Sequence, residues 1–574
     1  GALPAQPQRL SECFPSGFEP RRTQAEIMSR IDDALSSGHR HIILCAPTGV
    51  GKSHVAMAFA RAMGTSHTLT AQKILQDQYT ADFAWALPLK GKSNFPCVVL
   101  CDKAAVDPSS GWDASVSCSR ASCSWTEKDH GRKKTVTCEH KPMPAQYSVE
   151  GRGTEAESVR PLAEGKACHY YDQKYRALNA SHTVFNYAAY FLTRKYPPSG
   201  AADMLRRKCI VADEAHEIED QLIDMVGMDI YRSHLSDVNL SMSSYATDDI
   251  DGIKRMVEAA ADAYHREVRD LEDAHGGSMA PAVAERVARF RRRRDDLDAI
   301  FHEIDRAPEN MVVQRGEGGG VSLKPLEVGA HAQRYFDAPC QLYMSATVHR
   351  DVFCSTMGLE ASECAFIEIE RSPFPPQSRE VRFADVRRLS ARSSEDDYAA
   401  VYSEAARILA AHAGEKGLVL TSRKDQCDAL AAHVRSEAGE AAAARLKIVH
   451  NDTGEERERT LAAHARDGGP SVLVSPSLWY GVDLKGDLSR FQVIIKAPYL
   501  SLGDRRTRAK MERSDAWYKY ASLTKLLQGM GRSVRDSDDH AVTYVLDAGA
   551  RSLIGAMRKY VPSSYRDVLG DALR

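Results

Sequence analysis

His41-Ile42-Ile43-Leu44-Cys45-Ala46-Pro47-Thr48-Gly49-Val50-Gly51-Lys52-Ser53 decides the fold. The run from His41 to Cys45 is short and apolar, which predicts a buried parallel strand. A glycine-bearing turn follows, and a helix is expected from Ser53 to about Gly64, where glycine ends it. Strand, glycine turn and helix in that order make a phosphate loop. Glycines let successive backbone N–H groups wrap a phosphate, and the helix N-terminus adds partial positive charge. Lys52 is expected to reach the β- and γ-phosphates of ATP and the Ser53 hydroxyl to ligate Mg2+, with Thr48, Gly49 and Gly51 lining the loop.

Outward from this loop the strand–helix alternation continues. Ser66–Thr70 and Lys208–Ala212 read as further buried strands, the second ending in Asp213-Glu214-Ala215-His216. Two carboxylates at a strand tip suit a metal ligand, Asp213, and a base for the attacking water, Glu214. Leu342–Met344 resumes the series, and the paired prolines in Ser372-Pro373-Phe374-Pro375-Pro376 predict a connector. A second α/β series follows, with a helix over Ala399–Ala413 and strands at Gly417–Thr421, Lys447–His450, Ser471–Ser475, Phe491–Lys496 and Val542–Asp547. In Gln528-Gly529-Met530-Gly531-Arg532-Ser533-Val534-Arg535, the spacing of Gln528, Arg532 and Arg535 predicts one face of a helix. Two guanidiniums from the second half facing a triphosphate on the first imply ATP bound between the halves, so that hydrolysis opens and closes the cleft.

Two segments break the alternation. Residues 95–170 are polar, without sustained period, and hold six of the chain's 13 cysteines: Cys97, Cys101, Cys118, Cys123, Cys138 and Cys168. Cysteine thiolates are soft ligands suited to iron–sulfur or zinc. No C-x2-C spacing, which zinc favours, occurs there. Residues 226–335 predict two long charged helices, Met256–His275 and Val283–Ile304. The second carries the basic run Arg289–Arg294, read as a solvated face ahead of a strand-binding one. Tyr170, Tyr171, Tyr175, Tyr187 and Tyr190 are either a buried aromatic face or base-stacking platforms.

Composition sets the outer bounds. The 574 residues are 43% hydrophobic and 27% charged, with a formal net charge of −2. That is an ordinary globular composition, and a local basic groove is compatible with it. No apolar run approaches the ~20 residues a membrane span needs. Gly1-Ala2 reads as a cloning scar, and no secretory signal is expected.

Together these motifs resemble superfamily-two helicases. Arg22-Thr23-Gln24 looks like the adenine-side motif and Ala46–Ser53 like motif I. Asp213–His216 is similar to motif II in its DEAH form, and Ser345-Ala346-Thr347 to motif III. Trp479–Asp487 is similar to motif V and Gln528–Arg535 to motif VI. The cysteine segment between Lys92-Ser93-Asn94-Phe95-Pro96-Cys97 and Cys168-His169-Tyr170-Tyr171, followed by Asn186-Tyr187, resembles the XPD/DinG branch.

The resemblance implies an α/β fold of two RecA-like parallel-sheet domains. An iron–sulfur insertion and a helical arch are both placed in the first. The expected division is 1–94, 171–225 and 336–375 for the first domain, 95–170 for the cluster insertion, 226–335 for the arch and 376–574 for the second domain. It further implies ATP, Mg2+ and a [4Fe–4S] cluster as cofactors. Lys52, Asp213, Glu214, Gln528, Arg532 and Arg535 become the catalytic set. Gln24 and Asp483 join Thr48, Gly49, Gly51, Lys52 and Ser53 at the nucleotide, and Ser53 and Asp213 hold Mg2+. Cys97, Cys118, Cys123 and Cys168 are the expected cluster ligands, with Cys138 the rival for a middle place.

The implied partners are single-stranded DNA, tailed duplex DNA, and proteins of repair or transcription, for a monomer without membrane contact. The implied activity is 5′-to-3′ DNA unwinding in repair or replication, in the cytoplasm at the nucleoid of a prokaryote, archaeon or phage host, or in a eukaryotic nucleus. The alternatives are a zinc-containing DEAH-type RNA helicase and a scaffold with incidental ATPase.

Overall fold

The structure is a computed structural model and describes residues 8–106, 116–120, 123–129, 132–162, 167–198, 202–275, 281–449, 454–480, 482, 484–534 and 539–573. Its frame is two parallel sheets. The first contains β1 (His41–Cys45), β2 (Ser66–Thr70), β3 (Leu87–Leu89), β4 (His182–Asn186), β5 (Cys209–Asp213), β6 (Cys340–Ser345) and β7 (Cys364–Glu368), in the order β7-β1-β6-β5-β2-β4-β3. The central strands β1, β5 and β6 are buried almost throughout, as expected of parallel strands covered on both faces. β1 pairs with β6 from His41 opposite Gln341 to Cys45 opposite Ser345, and β6 pairs with β5 up to Met344 opposite Asp213. This register brings the phosphate loop, the acidic tip and Ser345 to one sheet edge.

The second sheet contains β8 (Val381–Arg387), β9 (Gly417–Leu420), β10 (Leu446–Ile448), β11 (Val472–Ser475), β12 (Phe491–Ile494) and β13 (Val542–Asp547), in the order β8-β13-β12-β9-β11-β10. A helix over Glu395–Ala411, opened by a Ser394/Asp397 capping box, covers one face.

Between β3 and β4 lies the cysteine segment. The sequence shows no period there, yet it folds as a helix (Val98–Val106) and two antiparallel hairpins, Ser124–Asp129 with Arg132–Thr137 and Tyr147–Glu150 with Ser158–Pro161. Between β5 and β6, helices Ile250–His275 and Pro281–Arg306 pack lengthwise on each other and share a core with a three-stranded antiparallel sheet of Met228–Ile230, Val321–Pro325 and Met311–Arg315. In the basic run there, Arg291 pairs with Glu272, Arg293 with Asp237 and Arg294 with Asp295. These arginines serve the arch's own surface, in keeping with the solvated-face reading. Among the described residues, no helix is long and apolar enough to cross a membrane.

One ion cluster ties these parts together. Glu219, on the helix Ile218–Val226 just after the acidic tip, accepts from Arg506 at 2.5 Å and from Lys510, both on the second half's helix Arg505–Arg513. The same Arg506 donates to the carbonyls of Pro325 and Leu326, at the end of the arch sheet, at 2.8 Å each.

Candidate nucleotide and cysteine sites

The phosphate loop leaves β1 at Cys45 and enters helix α2 (Lys52–Met63) through two left-handed glycines, Gly49 (φ +82°) and Gly51 (φ +79°). Only glycine adopts such angles without strain. Space requires it as well: a Cβ on Gly51 would lie 2.3 Å from Gln24 Nε2, and one on Gly49 would lie 2.2 Å from Phe374 Cζ. Gln24, on helix α1 (Arg22–Ser36), donates to Gly51 O at 3.1 Å and accepts from Arg21 N–H at 2.8 Å. Lys52 Nζ donates back to the loop at Ala46 O (3.0 Å) and Pro47 O (3.3 Å), so its ammonium sits inside the loop. Ser53 follows Lys52 in the first turn of the helix, its Oγ 3.5 Å from His54 Nδ1. Phe374 comes from the proline-flanked connector, which therefore lies over the loop. Its ring also packs with Val534 and Ala541 of the second half.

Asp213 ends β5. Its Oδ1 accepts from Glu214 N–H (3.0 Å), and its Oδ2 accepts from the Tyr79 hydroxyl (3.0 Å). Tyr187 donates to the Asp213 carbonyl at 2.8 Å. Burial first, and the neighbouring Glu214 carboxylate second, push the Asp213 carboxyl up to about 6. Glu214 itself turns left-handed (φ 52°, ψ 49°), an uncommon conformation for a residue with a side chain. His216, whose pKa burial lowers to about 4, pairs with Ser345 Oγ at 3.0 Å and is neutral at pH 7.

A chain of contacts then crosses to the second half. Gln528 Nε2 donates to Thr347 Oγ1 at 2.9 Å, and Arg532 donates to Gln528 O at 3.0 Å and to Val482 O at 3.2 Å. Here the sequence expectation needs correction. The helix Asp515–Met530 ends at Met530 with Gly531 as its cap, so Arg532 does not continue the helical face of Gln528. Glycines at 529 and 531 disfavour another turn, and the Arg532 guanidinium folds back onto the Gln528 carbonyl. Arg535 and Asp483 lie outside the described residues. Tyr79, Phe374 and the Glu219 cluster carried no signal in the sequence, because their partners are distant in the chain.

The cysteine site is a small core of its own. Cys97, Cys118 and Cys168 are buried with Tyr170, and Phe95 and Tyr171 pack against them. Cys118 Sγ lies 3.8 Å from Cys168 Sγ. Burial, then the Cys168, Cys97 and Cys123 thiols around it, push the Cys118 thiol up to about 12. Cys123 is half-buried, with Lys92 Nζ 3.7 Å from its sulfur. Backbone bonds hold the set: Cys97 N–H to Val116 O, Cys118 N–H to Phe95 O, Cys168 N–H to His140 O and Cys138 N–H to Cys123 O. Cys101 turns aside, its thiol 3.9 Å from Val116 O. Among the described residues, no three His, Cys, Asp or Glu side chains are arranged to hold a metal ion. Tyr175, Tyr187 and Tyr190 are buried in the first half's core, which leaves no free face for a base.

Three segments match known families: residues 17–103 the type III restriction enzyme res subunit, residues 86–235 the DEAD_2 family and residues 405–566 the helicase C-terminal domain. The ATP-dependent DNA helicase YoaA of Escherichia coli (strain K12) is 23% identical, over 94% of this chain and 93% of its own length. YoaA of Haemophilus influenzae is also 23% identical, over 92% and 91%. The solved structure named XPD_Helicase superposes with a TM-score of 0.56 at 14% identity, covering 94% of this chain and 98% of that one. The S. tokodaii Xpd4 structure gives 0.54 at 13% identity with the same coverage. The fold is thus that of two RecA-like domains, as in the XPD structures, and helicase segments together with relatives named as ATP-dependent DNA helicases match nearly the whole length of the chain.

Proposed function

We propose that the chain is an ATP-dependent DNA helicase that moves 5′-to-3′ on single-stranded DNA and unwinds tailed duplexes in repair or replication. The observation that carries this is the contact chain His216–Ser345, Thr347–Gln528–Arg532, which links the acidic strand tip of one half to the arginine segment of the other. A scaffold has no use for such a path. The motor reading agrees with relatives named as ATP-dependent DNA helicases.

In this reading the proposed domains are residues 1–94, 171–225 and 336–375, and 376–574. The cluster insertion (95–170) and arch (226–335) extend from the first. ATP enters between the two domains. Its phosphates displace the loop carbonyls now held by Lys52, whose ammonium then meets the β- and γ-oxygens. Ser53 and Asp213 hold Mg2+, and Gln24 supports the adenine side. Glu214 takes the proton from the attacking water as the water's oxygen bonds to the γ-phosphorus and the bond to the β–γ bridging oxygen breaks. Arg532 bears on the charge that spreads over the transferring group, and Arg535 and Asp483 keep the finger and nucleotide roles expected of them from the sequence.

The thiols of Cys97, Cys118, Cys123 and Cys168 fit a [4Fe–4S] cluster. Cys97, Cys118 and Cys168 are soft donors from separated segments buried in one small core, and the half-buried Cys123 lies close enough to raise the Cys118 thiol, so these four would hold the cluster. Bound there, the cluster supplies the folding free energy that the polar insertion lacks.

Strand-displacement assays on 5′- and 3′-tailed duplexes, as DNA and as RNA, test the reading. ATP-dependent unwinding of the 5′-tailed DNA is expected. Glu214→Gln is expected to bind ATP and turn it over ~10²–10⁴-fold more slowly. Unwinding of RNA alone, or of 3′-tailed DNA alone, would overturn the substrate or the polarity.

A further inference from the structure

We propose that Tyr79 is a positioning residue of the metal site, its phenol fixing the orientation of the Asp213 carboxylate toward Mg2+. The inference rests on the assignment of Asp213 as a metal ligand. Tyr79 sits on helix α3 (Lys73–Asp82) and is buried in the first half's core beside Phe83. Packing alone asks for no hydroxyl at this place, since Phe83 fills the adjacent volume with a plain ring. A buried phenol O–H without a partner is costly, and this one has Asp213 Oδ2 at 3.0 Å.

The pairing divides the carboxylate's work. Oδ1 takes the Glu214 N–H and Oδ2 takes the Tyr79 O–H, so each oxygen keeps one lone pair in a set direction. The terminal torsion of an aspartate is otherwise broad. With Tyr187 holding the backbone carbonyl of the same residue at 2.8 Å, main chain and side chain of Asp213 are pinned by separate tyrosines. Helix α3 starts three residues after β2 ends, on the sheet edge that carries the phosphate loop. A displacement of α3 therefore acts on the metal ligand through one hydroxyl.

The test is steady-state ATP hydrolysis against free Mg2+ at saturating ATP, for the wild type, Tyr79→Phe and Tyr79→Leu, with thermal melting of each. Tyr79→Phe keeps the ring and removes the donor. It is expected to raise the half-activating Mg2+ concentration by about ten-fold, while kcat at saturating Mg2+ and the melting temperature stay near wild type. Tyr79→Leu is expected to show the same Mg2+ shift and a lower melting temperature. Identical Mg2+ curves for wild type and Tyr79→Phe, or a shift confined to Tyr79→Leu, would make the residue a packing group only. A wild-type protein whose hydrolysis ignores Mg2+ would instead remove Asp213 from the metal, and the role of Tyr79 with it.

Discussion

The nucleotide loop and the cysteine segment both gather side chains from distant points of the chain, but they hold them by different means. Asp213 and Ser345 end neighbouring strands of one buried sheet, and Lys52 opens the helix that follows the loop after β1, so their relative placement is set by register before any ligand arrives. Cys97, Cys118 and Cys168 sit in a core of four buried residues, tied by single backbone bonds to Val116, Phe95 and His140. A site built on strand tips keeps its geometry when a side chain is lost. A site built on such a small core has little buried surface of its own to hold it.

Substitutions on each side can break that contrast or sharpen it. The largest effect is expected from Arg532→Ala, which should lower kcat by ~10³–10⁵-fold while single-strand binding without ATP is retained. A collapse of strand affinity with kcat unchanged would place the arginine on the DNA instead. Next comes Cys168→Ser. It should remove iron and visible absorbance and open the insertion to proteolysis, leaving ATP binding intact. Zinc and no iron in the wild-type protein, purified without oxygen, would reject the cluster. A brown Cys123→Ser protein beside a bleached Cys138→Ser one would exchange the middle ligands.

Smaller effects probe the frame. Glu219→Gln leaves Arg506 and Lys510 buried beside a neutral amide, and breaking a buried pair of this kind costs ~3–5 kcal/mol, measurable by denaturant melting. Burial opposes ionisation of Glu219, but Lys510 and Arg506 prevail and hold its carboxyl below the usual glutamate range. The linked stability is therefore complete above about pH 4.3 and is lost as pH falls through the lowered value. In the Glu219→Gln protein that acid-side loss should be reduced. The smallest change is Gly529→Ala. Its methyl would lie 2.6 Å from Cε3 of Trp479, whose indole is fixed by its bond to Thr421 O, so overpacking should cost ~1–3 kcal/mol in thermal melting.

The same contrast explains what the sequence discloses. Ile42, Ile43 and Leu44 before a glycine loop, and Ile210 and Val211 before Asp213, announce strands whose tips must carry the chemistry. The periodic signal and the site coincide there. The hairpin Ser124–Asp129 with Arg132–Thr137 leaves no such signal, because its sequence lacks the apolar alternation of a half-buried strand. The helical face expected for Gln528 and Arg532 failed at Gly531, where local backbone preference overrides spacing. Tyr79 was invisible for another reason. Its partner lies 134 positions away, and no local pattern encodes a contact that only the sheet creates.

The Glu219 cluster bears on how such an architecture can be altered. Arg506 spends its donors on a carboxylate of the first half and on two carbonyls at the base of the arch, so three parts of the molecule converge on one guanidinium. An arch exchanged for that of a relative, or trimmed away, would strip that guanidinium of two acceptors and disturb the seam between the motor halves. Chimaeras that replace the arch should therefore be joined outside Leu326 and keep Glu219 and Arg506 as a matched pair.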